Sequence, residues 1–197
     1  MKKVLVIGSN GLVGGAVADA LAESHEVVRA SRSEGERVDI SDPASVRELF
    51  ERVGPLDAVV CCAGVVPFKP LEELTGEDYR AGFESKVLGQ INLVTEGLAR
   101  VRDGGSFTFI TGILAREPIA TGAAASAVNG ALESFVMAAA TELPRGVRIN
   151  AVSPSVLSEA DGYHPFFPGY PHVPAAEVAR AYVRSVDGVE TGKTFRV

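Results

Sequence analysis

Lys2-Lys3-Val4-Leu5-Val6-Ile7-Gly8-Ser9-Asn10-Gly11-Leu12-Val13-Gly14 decides the fold of this chain. The first six residues are a short β-prone run, and glycines 8, 11 and 14 follow it directly. Residues 12–23 read as a helix, and Glu26-Val27-Val28-Arg29-Ala30 closes a β-α-β unit. The glycines let the chain turn tightly out of the strand and bring backbone N–H groups close to a pyrophosphate, while the helix adds the positive end of its dipole. Set between a hydrophobic strand and an apolar-faced helix, the pattern marks a dinucleotide site.

Working outward, strands and helices alternate. Ser41-Asp42-Pro43 reads as a cap with proline at the first helical position, opening a helix to about Val53. Asp57-Ala58-Val59-Val60-Cys61 has the composition of a strand buried on both faces and ends at Ala63-Gly64. A long helix is expected from Glu77 to Val101, a turn at Asp103-Gly104-Gly105, and a strand over 106–110. An alanine-rich helix follows from Thr121 to Leu143, ended by Pro144 and Gly146, then a strand at Arg148–Val152 stopped by Ser153-Pro154. Residues 155–174 hold four prolines and little periodicity, which reads as a substrate loop or lid. A helix over 175–186 and a strand over 193–197 close the chain.

The pattern implies an α/β protein: a three-layer Rossmann fold with a doubly wound parallel sheet, as one NAD(P)-binding domain over residues 1–197. Ligands then bind beyond the carboxyl ends of the strands, which puts Gly8, Arg32, Gly64, Thr111 and Pro154 on one rim. At 197 residues and 46% hydrophobic content, the chain buries a core without disulfides or metal. A net charge of −6 argues against nucleic acid, whose binding needs phosphate neutralisation. No apolar run nears the roughly 20 residues that span a bilayer, so no membrane partner and a cytoplasmic location are expected. Cys61 and Cys62 are neighbours in a strand and point to opposite faces, so they read as core fillers, neither a disulfide nor a metal site.

The second strand ends in Ser31-Arg32-Ser33, with no acid until Glu34. An acid there would favour a free ribose 2′-hydroxyl. A guanidinium between two hydroxyls suits a 2′-phosphate, so NADP(H) is expected over NAD(H). The bland reading of Arg32 is a solvated loop arginine. Asp39 either touches adenine or caps the helix near Pro43.

The order of features resembles the short-chain dehydrogenase/reductase family over nearly the whole chain. The matching segments are Gly8–Gly14, Val38-Asp39-Ile40, Cys62-Ala63-Gly64 and Arg148-Ile149-Asn150-Ala151-Val152-Ser153-Pro154. The resemblance implies cofactor contacts from Gly8, Ser9, Asn10, Gly11, Leu12, Gly14, Ser31, Arg32, Ser33, Asp39 and Ile40. It implies more from Cys62, Ala63, Gly64, Lys86, Thr111, Gly112, Pro154 and Val156. It also implies a homodimer or homotetramer through the two long helices, and a small-molecule substrate.

The family's usual catalytic groups do not match. Its serine position falls on Gly112, its tyrosine position on Ala125 and its lysine position on Asn129, and no tyrosine or lysine lies between residues 87 and 162. The family's asparagine position falls on Lys86. That lysine either reaches the nicotinamide ribose and serves as proton donor or relay, or snorkels at the helix surface. Thr111 is a candidate hydrogen-bond donor to a substrate oxygen, or an ordinary β-branched strand end. Tyr163 and His164 are candidate acids carried by the loop, or packing residues among Phe166, Phe167 and Tyr170. Two readings follow: an NADP(H)-dependent oxidoreductase acting on a small carbonyl or alcohol with a non-standard site, or a catalytically inactive NADP(H)-binding sensor or partner protein. An isomerase or epimerase is more distant, because no acid/base pair is evident.

Overall fold

Period-two alternation along the strands builds two helical layers on one sheet. The computed structural model describes residues 1–197. Strands β1 (Lys3–Ile7), β2 (Glu26–Ser31), β3 (Glu36–Arg37), β4 (Leu56–Cys61), β5 (Val101–Ile110), β6 (Arg148–Ser153) and β7 (Thr194–Arg196) form a single seven-stranded sheet. Its order is β3-β2-β1-β4-β5-β6-β7, and every pair is parallel.

Leu5, Ile7, Val59, Cys61, Phe107 and Phe109 pack on one face, against α2 (Pro43–Val53), α4 (Gly89–Gly97) and α5 (Ala123–Ala139). Val4, Val6, Ala58, Val60 and Val152 face the other way, against α1 (Leu12–Ala22) and α6 (Ala175–Asp187). Each valine, leucine, isoleucine or phenylalanine among them contributes about 1.5–3 kcal/mol by leaving water. Cys61 and Cys62 divide between these two clusters and are free thiols, and burial pushes the Cys61 thiol up to about 12. In the register, Val4 pairs with Val27 of β2 and with Ala58 of β4. Strand order therefore reverses at β1, opening a crevice above the ends of β1 and β4.

Local signals hold in detail at α2, where Asp42 Oδ1 accepts from Ala44 N at 2.9 Å and Pro43 is the first residue. Three elements differ from expectation. The helix expected over 77–101 is divided into α3 (Gly76–Gly82), a π-helical stretch Phe83–Leu88, α4, and a 3₁₀ turn Leu98–Arg100. The turn expected at 103–105 lies inside β5 as a bulge, where Leu56 pairs with Val101 but Ala58 with Ser106. α5 stops at Ala139, and its end tightens through Thr141 N–Ala138 O and Glu142 N–Ala139 O bonds ahead of Pro144. Proline disfavours helix at the residue before it. The 155–174 segment is a loop with a 3₁₀ turn at Asp161–Phe166, tied down by Ser155 Oγ donating to Pro171 O at 2.7 Å.

Candidate functional site

The first glycine segment works through close approach. Gly8 has φ +80°, and a Cβ on Gly14 would stand 2.0 Å from the Gly8 carbonyl oxygen, so α1 starts hard against the turn. The helix opens at Gly11 with no capping side chain and no acid in its first turn, which leaves its N–H groups and dipole for an anion.

Above this turn lies a cavity of about 670 Å³. Gly8, Asn10, Gly11, Ser31, Arg32, Ser33, Asp39, Ile40, Cys62, Ala63 and Gly64, all named as candidate cofactor contacts, line it together. Arg32 is exposed on its rim and makes no ion pair or hydrogen bond within the protein. Ser31 is buried and its hydroxyl builds the turn, accepting from Ser33 N and Glu34 N, whereas Ser33 Oγ accepts from Asn10 Nδ2. Asp39 does not cap α2, because Asp42 does. Its carboxylate accepts from the Ser41 hydroxyl and N–H instead, bonds that hold it below the usual carboxylate range, with Arg32 adding to the effect. Ser9 and Gly14 do not line this space. Ser9 is buried with its hydroxyl donating to Ala30 O, and Gly14 is used up in packing.

A second cavity of about 400 Å³ continues from the first, sharing Gly64 and Val65 with it. Leu12, Lys86, Thr111, Gly112, Asn129, Pro154, Val156 and Tyr163 line it, together with apolar side chains from Val66 to Phe167. Lys86 is its sole charged lining residue. The lysine does not snorkel: it is 8% exposed, and its Nζ donates to Thr111 O at 3.1 Å and to Asn129 Oδ1 at 2.7 Å. The π-helical stretch carries it inward, and π-turns recur at functional sites. Gln90, one turn on, fixes this helix to β5 by bonding both N–H and C=O of Ile110 at 3.0 Å. Gly64, at φ +134°, gives the lysine its passage, since a Cβ there would lie 2.6 Å from Lys86 Cγ. Burial lowers the Lys86 pKa from 10.5 to about 8, with Cys61 and Glu133 opposing the shift.

The Thr111 hydroxyl is turned away from this cavity's contents. It donates to Glu133 Oε1 at 3.0 Å and shares Val152 O, so its one hydrogen is committed. Glu133 pairs with Arg116, which in turn donates to Ser153 Oγ at 2.6 Å. Sequence reasoning missed this ion pair behind the site. Its signal was a carboxylate four residues after Asn129 and eight after Ala125, on one face of an alanine-rich helix. Of the loop candidates, Tyr163 lies on the cavity, edge-on to Phe68 with ring centroids 5.8 Å apart. His164 does not: its ring stacks on His172 and its Nε2 meets Leu157 O at 2.8 Å. A backbone carbonyl and a neighbouring imidazole therefore take the histidine out of the space where an acid would work.

The sequence model described as enoyl-(acyl carrier protein) reductase matches residues 12–184. An uncharacterized oxidoreductase of Methylorubrum extorquens is 31% identical over 181 residues, 79% of this chain and 73% of that protein. The crystal structure of the protein lin1944 from Listeria innocua superposes with a TM-score of 0.98 at 46% identity, over 100% of both chains. A small-chain dehydrogenase solved in complex with NADPH superposes at 0.88 with 27% identity, over 99% of this chain and 95% of that one. No helix is long and apolar enough to cross a membrane.

Proposed function

The chain belongs to the short-chain dehydrogenase/reductase family, and from that premise we propose that it is an NADP(H)-dependent oxidoreductase acting on a small carbonyl or alcohol through a non-standard active site. One observation carries the reading. A polar cavity with a glycine turn and an unpaired arginine opens into an apolar cavity whose sole charge is a buried lysine. The residues fit the cofactor in order. The uncapped start of α1 and the N–H groups after Gly8 hold the pyrophosphate, Asp39 and Ile40 the adenine side, and Arg32 with Ser33 the 2′-phosphate. That a small-chain dehydrogenase of similar structure was solved in complex with NADPH supports a nicotinamide cofactor. When bound, the nicotinamide supplies hydride chemistry.

The chain's own residues do the rest. Gly112, Pro154 and Val156 would wall the nicotinamide end of a lining that is mainly aliphatic and aromatic. Lys86, with two of its hydrogens held by Thr111 O and Asn129 Oδ1, keeps the third for a substrate oxygen and holds a proton that this oxygen can take. Its depressed pKa brings that proton into the range where transfer is useful near neutrality. Exposed Leu88 and Met137, on the helical surfaces where the family resemblance places contacts, support a homodimer or homotetramer. The test is NADPH consumption against a panel of small aldehydes, ketones and conjugated carbonyls. Turnover that falls at least about a hundredfold in Lys86→Met supports the reading. Cofactor binding without turnover on any panel member would favour the sensor instead.

A further inference from the structure

The hydrogen bond between Lys86 and Asn129 fixes more than the lysine. Because Asn129 Oδ1 accepts from the ammonium at 2.7 Å, the amide's other end, Nδ2, is the one left over, and it has no partner within the protein. Asn129 is 4% exposed and lines the apolar cavity, as Lys86 does. Two N–H donors, tied together by their own hydrogen bond, thus line the same mostly apolar cavity. Nothing nearby accepts a proton from substrate: the lining holds no carboxylate and no imidazole, and the hydroxyls of Thr111 and Ser155 are committed to Glu133 and Pro171 O. Nothing nearby would pair with a charged substituent either, once Lys86 is engaged. Phe68, Ile113, Leu114, Tyr163 and Phe167 instead offer flat and branched apolar contact.

We infer that Lys86 and Asn129 form an oxyanion-holding pair, and that the cavity takes small, uncharged aromatic or conjugated carbonyl compounds whose oxygen becomes enolate- or phenolate-like. This rests on the reductase reading for its hydride. When a carbon conjugated to the carbonyl accepts a hydride from reduced nicotinamide, the π electrons shift through the conjugated system onto oxygen and leave it enolate- or phenolate-like, with the nicotinamide oxidised. The ammonium and amide hold that charge. Lys86 then gives the oxygen a proton and regains one from solvent. A conjugated anion is a weaker base than a simple alkoxide, so an ammonium and one amide donor suffice to hold it.

The probe is 4-nitrophenol, whose phenolate absorbs separately from the phenol, titrated into the protein with and without NADP⁺. Binding is expected to raise its ionisation constant at least about tenfold, because the pair favours the anion. Lys86→Met and Asn129→Asp should each abolish the shift. The aspartate variant keeps an acceptor for Lys86 and nearly the native shape, so its folding is preserved while an anion is repelled. An unchanged ionisation constant in the native protein overturns the inference, as does a shift that survives both variants. A second arm compares single-turnover reduction of the enone benzylideneacetone with that of its para-carboxylate analogue. The neutral ketone should react at least about tenfold faster, since the carboxylate has no partner in the cavity; equal rates overturn the substrate class. NADP⁺ binding, read separately by thermal shift, keeps the two readings apart: a phenolate shift without cofactor binding overturns the reductase and leaves the anion site standing.

Discussion

Replacing Lys86 with methionine should make the protein more stable relative to the native chain as pH falls from 10 to 7. In the folded protein the lysine titrates at about 8 because burial disfavours its charge, whereas the unfolded chain releases that proton only near 10.5. Between those values the unfolded state binds more protons than the folded one, so native stability rises with pH through this window. Below pH 8 both states are protonated and the full penalty is present. Integrated from pH 7 to 10, the lysine costs about 2–3 kcal/mol that the methionine variant does not bear. For a chain of this length that is about 5–10 °C in Tm. Losing the donors to Thr111 O and Asn129 Oδ1 offsets part of the absolute gain in the variant, but that loss does not vary with pH. The assay is urea denaturation of both proteins at several pH values, taking the difference between the two curves so that other groups cancel. A difference that stays constant from pH 7 to 10 would refute the claim that a charged lysine is held out of water beside the cavity. A native cost of this kind is what the proposed role of Lys86 as a proton donor in an apolar cavity would entail.

Arg32→Ala should weaken NADPH binding about 10–100-fold while leaving NADH nearly unchanged, because only the 2′-phosphate loses a charge-assisted partner; paired fluorescence titrations read this. Gly14→Ala, whose Cβ would stand 2.0 Å from Gly8 O, should abolish binding of both nucleotides and lower Tm, measured by nucleotide titration and thermal melting. Glu133→Ala strands the Arg116 guanidinium and the Thr111 hydroxyl, and should cost about 2–4 kcal/mol in chemical denaturation; Arg116→Ala should cost a similar amount, and the double variant less than the sum.

The parts of the fold legible in the sequence are those written in local chemistry. The β1–α1–β2 unit follows from an apolar run and three glycines, α2 from Asp42 and Pro43, and β6 from an apolar run stopped at Ser153-Pro154. The π-helical stretch was not legible, since one residue slipped into a helix leaves the apolar pattern almost unchanged; only Gly82 and Gly89 bracketing it hinted at a change. The site divides the same way. Gly8, Arg32 and Gly64 announce themselves by type and place, and Lys86 by being a cation in an apolar stretch. The partnership of Lys86 with Asn129, the withdrawal of Thr111 toward Glu133 and the turning away of His164 depend on side-chain directions across 43, 22 and 7 residues of sequence. No single-chain periodicity records those.

The most direct measurement is a titration of the native protein and of Arg32→Ala with NADPH and NADH, following the fluorescence of the reduced nicotinamide. Binding should be saturable and tighter for NADPH than for NADH, with that preference lost in the variant. Absence of binding by either nucleotide would contradict the proposed function.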